Sequence, residues 1–276
     1  MRHGGGEAGP TFELDDLDRV RDGLEHAVQA ANDAIREILS RAQIRVGHKP
    51  GEGPVTEADH AADDVLHREL MPLIDGAHWL SEESRQVGEI IHGEPTWVVD
   101  PLDGTREFLR GLPEFGVSVG LFTGDALVLG AVGLPSEEVV LSGLVAGDRR
   151  EARRDGEPLA ALDAAAPVRR VVISRHDFEW REVQHAIPYE VYPCGSAAVK
   201  LVRAAEGDVY FSTGPRSVWD VAGGVALLRA VGGDLIGIDG EPIPLSPLME
   251  GVPPYAAATR HAAIELLTRV GVLQQS

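Results

Sequence analysis

Residues 97–111 read WVVDPLDGTREFLRG, which sets two carboxylates, Asp100 and Asp103, directly after the apolar run Trp97-Val98-Val99. Ionised acids at the end of a buried strand repel each other, and burial deepens the cost unless a proton or a cation intervenes. A divalent cation is the remedy that the surrounding residues suit. Mg2+ takes oxygen ligands in an octahedron, binding a few carboxylates while keeping waters and phosphate oxygens of a substrate. Pro101 stiffens the turn, the Leu102 carbonyl is free to act as a ligand, and Gly104 lets the backbone come close. The next residues, Gly104 to Phe108, read as a helix start, whose unpaired N–H groups favour a phosphate, and the Thr105 hydroxyl can hold a water. Spacing alone leaves a second reading open, in which Asp103 and Thr105 are turn and cap residues.

Elements on both sides must hold such a site. From Glu13 to about Arg45, apolar residues recur at Leu14, Leu17, Leu24, Val28, Ala31, Ile35, Ile38 and Leu39, which predicts a long amphipathic helix. HKPGEGP breaks that pattern, and Thr56 caps a second helix reaching about Leu73. On its acidic face, Asp63 and Asp64 read as solvated residues near a helix N-terminus. A short strand runs into Ser81-Glu82-Glu83, and Trp97 to Val99 forms another. GVSVGLF, ALVLGAVGLP and EVVLSGLV, separated by Gly, Pro and Asp, predict an antiparallel meander. Beyond an arginine-rich hairpin near 148–157, strands in VRRVVIS, DVYFS and GGDLIGI alternate with helices over Ser196–Glu206 and Trp219–Val231. The expected organisation is a flexible N-terminus over 1–10, an α+β domain over 11–160 carrying the metal-binding motifs, and an α/β domain over 161–276 carrying the specificity elements.

Composition narrows the partners. With 276 residues, 43% of them apolar, the chain can bury a substantial core. Cys194, the single cysteine, excludes an intramolecular disulfide, reads as a buried hydrophobe rather than a nucleophile, and suits a reducing cytoplasm. No run approaches the roughly 18 apolar residues of a membrane span, and MRHGGGEAGP has no signal-peptide core. A formal charge of −19 repels DNA and RNA, so no polymeric nucleic acid is expected as partner, whereas a small anion held through metal ions remains compatible. Only two of the 25 basic residues are lysine, Lys49 and Lys200. Where arginine is the default, a lysine can mark a place that prefers a compact ammonium to a planar fork.

DPLDGTREF at 100–108, with PVTEAD at 54–59, LSEES at 80–84 and VWDVAGG at 218–224 in the same order, resembles the signatures of the inositol monophosphatase superfamily of Mg2+-dependent, lithium-sensitive phosphatases. The resemblance implies a layered αβαβα sandwich with metals where the halves meet, often as a homodimer. It also implies that Glu82, Asp100, the Leu102 carbonyl and Thr105 surround one Mg2+, that Asp100, Asp103 and Asp220 hold a second, and that a third leans on Glu82. Asp59 with Thr105 would orient and activate the attacking water. Ser81 stands where the family often has Gly, and Glu83 is expected to support rather than ligate. The implied reaction is an in-line displacement at phosphorus, giving an alcohol and phosphate. No Ser-His-Asp or Cys-His arrangement suggests a covalent intermediate; the ten histidines are scattered, with His26, His60, His67 and His185 on polar helical faces.

The superfamily acts on inositol phosphates, fructose bisphosphate, histidinol phosphate or 3'-phosphoadenosine nucleotides. Thr213 occupies the position, six residues before Trp219, where inositol phosphatases usually carry a sugar-binding Glu. GPRSVWD at 214–220, the GSAAVK helix start at 195–200, PEF at 113–115 and VVISRH at 171–176 are more similar to the bacterial 3'(2'),5'-bisphosphate nucleotidases. Substrate contacts are therefore expected at Gly104, Thr105, Gly195, Ser196, Lys200 and Arg216, with Lys200 projecting one turn along from Ser196 toward the same anion. Lys49 either approaches the metals or is a solvated loop residue, and Trp219 packs in the core and fixes Asp220. The expected activity is removal of the 3'-phosphate of adenosine 3',5'-bisphosphate to give AMP. The alternatives are an inositol-1-phosphate or broad sugar-phosphate phosphatase and, in another class, an inactive regulatory homologue, which would lack a metal acid that this chain retains.

Overall fold

Leu17, Val20, Leu24, Val28, Ala31 and Ile35 wind into one buried stripe on α1 (Leu17–Leu39) of the computed structural model, which describes residues 16–49, 53–83 and 93–273. The helix stops earlier than its periodicity predicts, because the Ser40 N–H closes the last turn on Arg36 and the chain leaves toward a hairpin. In place of the open loop expected at HKPGEGP, β1 (Val46–Lys49) pairs antiparallel with β2 (Gly53–Thr56). Residues 50–52, like Glu13, lie outside the described residues. Thr56 then caps α2 (Glu57–Leu70), its hydroxyl accepting the Ala58 N–H at 3.1 Å, and a 3-10 turn continues to Leu73.

The predicted meander is present. β3 (His78–Ser81) runs parallel to β4 (Pro95–Asp103), and β4, β5 (Gly116–Thr123), β6 (Ala126–Leu134), β7 (Val139–Ala146), β8 (Arg149–Arg154) and β9 (Glu157–Leu159) follow as antiparallel neighbours, with α3 (Thr105–Leu109) between β4 and β5. One irregularity places the acids. Asp100 pairs with Ser118 and Asp103 with Gly116, so three residues of β4 advance against two of β5. This one-residue bulge cancels the strand alternation that would otherwise send Asp100 and Asp103 to opposite faces. Leu102 drops into the core under α1 and α2, while both acids turn the other way.

The second sheet has the order β11 (Glu190–Cys194), β10 (Arg170–Ser174), β12 (Val209–Ser212), β14 (Tyr255–Ala258), β13 (Asp234–Gly237), parallel among β10, β11 and β12 and antiparallel around β14. α4 (Arg175–Trp180) follows β10, α5 (Ala197–Ala205) follows β11, and α6 (Val218–Ala230) follows β12. One hydrophobic core runs from Val98 and Leu127 of the first sheet through α5 and α6 to Tyr210 and Tyr255 of the second. Behind the second sheet, α7 (Arg260–Arg269) buries Ala262, Ala263, Leu266 and Leu267 against Val171, Val209 and Ile236. The result is a layered αβαβα sandwich. Its sheets part between Leu159 and Arg170, yet α6, which lies beyond that point in sequence, packs on β5, β6 and β7 of the first sheet.

Candidate active site

Glu82 follows β3, its N–H bonded to the Val99 carbonyl at 3.0 Å; Asp100 stands just before the bulge; Asp220 lies in the first turn of α6. The start of α6 is docked by Ser118, the cross-strand partner of Asp100, whose hydroxyl donates to the Trp219 carbonyl at 2.9 Å and accepts the Gly223 N–H at 3.2 Å. Asp220 also accepts the Ser217 N–H at 3.1 Å in a capping box. One carboxylate oxygen from each of Glu82, Asp100 and Asp220 lies within 4.8 Å of the others. Burial pushes the Asp100 carboxyl far up, and the charges of Glu82, Asp103 and Asp220 push it further. Asp220 is pushed up to about 8 by burial, then by Asp103 and Glu82. Three hard oxygen donors that resist ionising together fit Mg2+, which favours oxygen ligands and relieves the repulsion.

Asp103 stands beside this triangle rather than in it. Its Oδ2 accepts the Ser196 hydroxyl at 2.6 Å and the Ala198 N–H at 2.7 Å, so the N-terminus of α5 orients the carboxylate. Gly104 makes the turn that follows at φ +95°, and a Cβ there would lie 2.7 Å from the Glu114 carbonyl, so only glycine fits. The Thr105 hydroxyl is 3.1 Å from both Asp59 Oδ1 and the Leu102 carbonyl, either of which can take its single hydrogen. Asp59 is buried, its Oδ2 accepting the Thr56 N–H at 2.8 Å and hydroxyl at 2.6 Å. Burial raises its pKa against the lowering effect of those bonds.

Above the acids opens a cleft of about 580 Å³. Of the sequence-derived site residues, Glu82, Asp100, Leu102, Asp103, Gly104, Thr105, Gly195, Arg216 and Asp220 line it. Arg106, His176 and Arg181 join Arg216 on its walls, where sequence reasoning had not placed them. VVISRH marked His176 without giving it a role, and nothing local marked Arg181, which donates to Asp177 at 3.2 Å and Thr213 at 3.3 Å. Thr213 in turn donates to Asp177 at 2.6 Å. Burial raises the pKa of Asp177, but the bonds from Thr213 and Ser174 and the Arg181 charge outweigh it and leave the net shift downward.

Three expectations are corrected. Lys200 does not reach the cleft: it is 1% exposed, its Nζ donates to the Cys194 carbonyl at 3.2 Å and the Gly195 carbonyl at 2.5 Å, and it sits over the Tyr210 ring at 5.1 Å. Ser196 is also buried, capping α5 through the Val199 N–H and donating to Asp103, so it acts behind the cleft. Asp63 is not merely solvated; it accepts the buried Ser81 hydroxyl at 2.5 Å, next to Glu82. Cys194 is buried as expected, and burial pushes its thiol up to about 11, unsuited to nucleophilic work. Trp219 packs against the central core. The Lys49 side chain and Ser84 lie outside the described residues.

A sequence profile described as the inositol monophosphatase family matches residues 16–270. The chain belongs to the inositol monophosphatase family. Among inositol monophosphatase relatives, it is 34% identical over 224 residues to a protein of Escherichia coli O157:H7 named 3'(2'),5'-bisphosphate nucleotidase CysQ, covering 79% of this chain and 90% of that one. It is 28% identical over 224 residues to Inositol monophosphatase 1 of Solanum lycopersicum, covering 76% and 81%. The crystal structure of extragenic suppressor protein suhB from Bartonella henselae has the same fold, with a TM-score of 0.75 at 22% identity over 92% of this chain and 98% of that one. Membership in the inositol monophosphatase family makes this chain a phosphatase. No helix among the described residues is long and apolar enough to cross a membrane.

Proposed function

We propose that the protein is a Mg2+-dependent phosphatase that removes the 3'-phosphate of adenosine 3',5'-bisphosphate, releasing AMP and phosphate. For the metal, the observation that carries the reading is the triangle of Glu82, Asp100 and Asp220 at the floor of the cleft, with Asp103 held beside it. Glu82, Asp100, Asp220, Asp103, the Leu102 carbonyl and Thr105 are the groups that would hold two or three Mg2+ ions. Bound there, Mg2+ supplies neutralisation of the phosphate charge, a more acidic water and stabilisation of the leaving oxygen. Thr105, with its hydrogen directed to Asp59, turns a lone pair toward the cleft to accept from the attacking water. Asp59, fixed by Thr56 and raised in pKa by burial, is the acceptor behind it.

For the substrate, the support is the cationic wall. A phosphate bound over the acids leaves Arg106, Arg181 and Arg216 facing the same cleft, and a second phosphate on the same molecule suits them. Both Asp177 oxygens already accept, from Arg181 and Thr213, which leaves them less available for sugar hydroxyls than a free carboxylate would be. The 34% identity to a protein named as a 3'(2'),5'-bisphosphate nucleotidase points the same way. The test compares kcat/KM for adenosine 3',5'-bisphosphate and inositol-1-phosphate at one Mg2+ concentration, with and without EDTA. A preference for the nucleotide and loss of turnover under chelation are expected. Preference for the inositol ester would sink the substrate reading, and turnover indifferent to EDTA would sink the metal reading.

A further inference from the structure

The turn joining β11 to α5 is held from two sides. On its core side, Lys200 donates to the Cys194 and Gly195 carbonyls. On its other side, the Gly195 N–H donates to Glu114 Oε2 at 3.1 Å. Glu114 lies between α3 and β5, is 8% exposed, and is itself clamped by Arg175, whose Nε donates at 3.1 Å and whose Nη2 meets both carboxylate oxygens. Arg175 Nη2 also reaches the Pro193 carbonyl at 3.5 Å, so two successive peptide groups answer to the ion pair and Lys200 holds the next. The residues that follow this turn, Ser196 and Ala198, supply both hydrogen bonds to Asp103 Oδ2.

From this geometry we infer that Glu114, clamped by Arg175, is a positioning residue for Asp103, acting through the β11–α5 turn. The inference rests on Asp103 being one of the metal acids. Asp103 needs such a device because it is the last residue of β4, paired with Gly116 beyond the bulge, so the ladder sets its face but no further strand residue holds its carboxylate. Glu114 itself holds neither the cleft floor nor the triangle of acids. A charge-assisted, bidentate pair fixes direction as well as distance, and removing one member leaves the other buried and unpaired.

The test is a Mn2+ titration of the full-length protein followed by EPR, without substrate, for the parent, Glu114→Ala, Glu114→Gln and Arg175→Lys, with Tm and circular dichroism on the same samples. The parent is expected to bind more than one Mn2+. Glu114→Ala should keep the tighter ion and bind the next about tenfold or more weakly, the usual cost of losing a group that orients a ligand. Glu114→Gln, which keeps an oxygen for the Gly195 N–H, should fall between and serves if the alanine variant does not fold. In the Asp103→Asn background, Glu114→Gln should cost no further Mn2+ affinity. The parental isotherm in a folded Glu114 variant, at whatever Tm, would overturn the inference, as would full additivity with Asp103→Asn. A parent that binds no Mn2+ would sink the metal-hydrolase reading itself and this inference with it.

Discussion

The buried carboxylates have opposite needs in the two states of the protein. Without a cation, Asp100 and Asp220 are held toward the protonated form by burial and by one another; with one, the same crowding becomes a ligand set. Asp103 is held from elsewhere: α5 supplies two donors to one of its oxygens. Asp103→Asn should therefore lower kcat/KM on the order of 100-fold or more, as for loss of one preorganised charge at a reacting centre. Its Tm in EDTA should stay level or rise, since a repulsion with Asp100 and Asp220 is relieved. Parental turnover in that variant would remove Asp103 from the mechanism. Lys200 answers the question raised by its rarity: a compact ammonium reaches two adjacent carbonyls over an aromatic ring, a space that a planar guanidinium does not match.

Two devices in the elements bring the acids together. The β4 bulge puts Asp100 and Asp103 on one face, and the close approach of α6 to β5 and β6 brings Asp220 to them. That approach depends on Gly223, where a Cβ would lie 2.4 Å from the Ala131 carbonyl oxygen and 2.8 Å from the Val119 nitrogen. Both obstacles are backbone and cannot rotate away. Gly223→Ala should cost about 1–3 kcal/mol in urea unfolding, the range for overpacking a core, and should lower turnover as well by lifting Asp220 from Glu82 and Asp100. A stable variant with parental kinetics would show that the helix tolerates a looser seat.

For the molecule as a whole, the acid cluster couples stability to pH. The Asp220 carboxyl sits at about 8 in the folded, metal-free protein against 3.8 for an unperturbed aspartate. Between those values the folded chain holds a proton that the unfolded chain has released, so its stabilising contribution is full below about pH 4 and is lost as pH rises through 8. Asp100 shifts in the same direction. Calorimetry in EDTA should thus show Tm falling from about pH 5 to about pH 9, a slope that Asp220→Asn flattens. Saturating Mg2+ should raise Tm most at the alkaline end, because the ion binds the ionised set. A Tm in EDTA that climbs across this interval would contradict the account. The remaining surface charge is ordinary by comparison: Arg149 and Arg153 of β8 pair with Asp18 and Asp22 of α1 at exposed positions, where such pairs contribute little.

The local chemistry was legible in the chain. Asp100, Leu102, Asp103, Gly104 and Thr105 fall within six residues, Thr56 and Asp59 share one capping box, and the turn signals of the meander lie between its strands, so short-range geometry suffices for all of them. Lys200 shows where such reasoning stops. Helical spacing correctly places it one turn from Ser196, but every residue of α5 except Arg203 is buried between the two sheets, so the helix has no solvent face to which that side chain could turn. The partners of Ser81, Gly195 and Thr213 are likewise acids distant in sequence, Asp63, Glu114 and Asp177, brought in by layer packing. Spacing along the chain decided which groups can do the chemistry; only the stacking of five layers decided which groups hold them in place and which face the cleft.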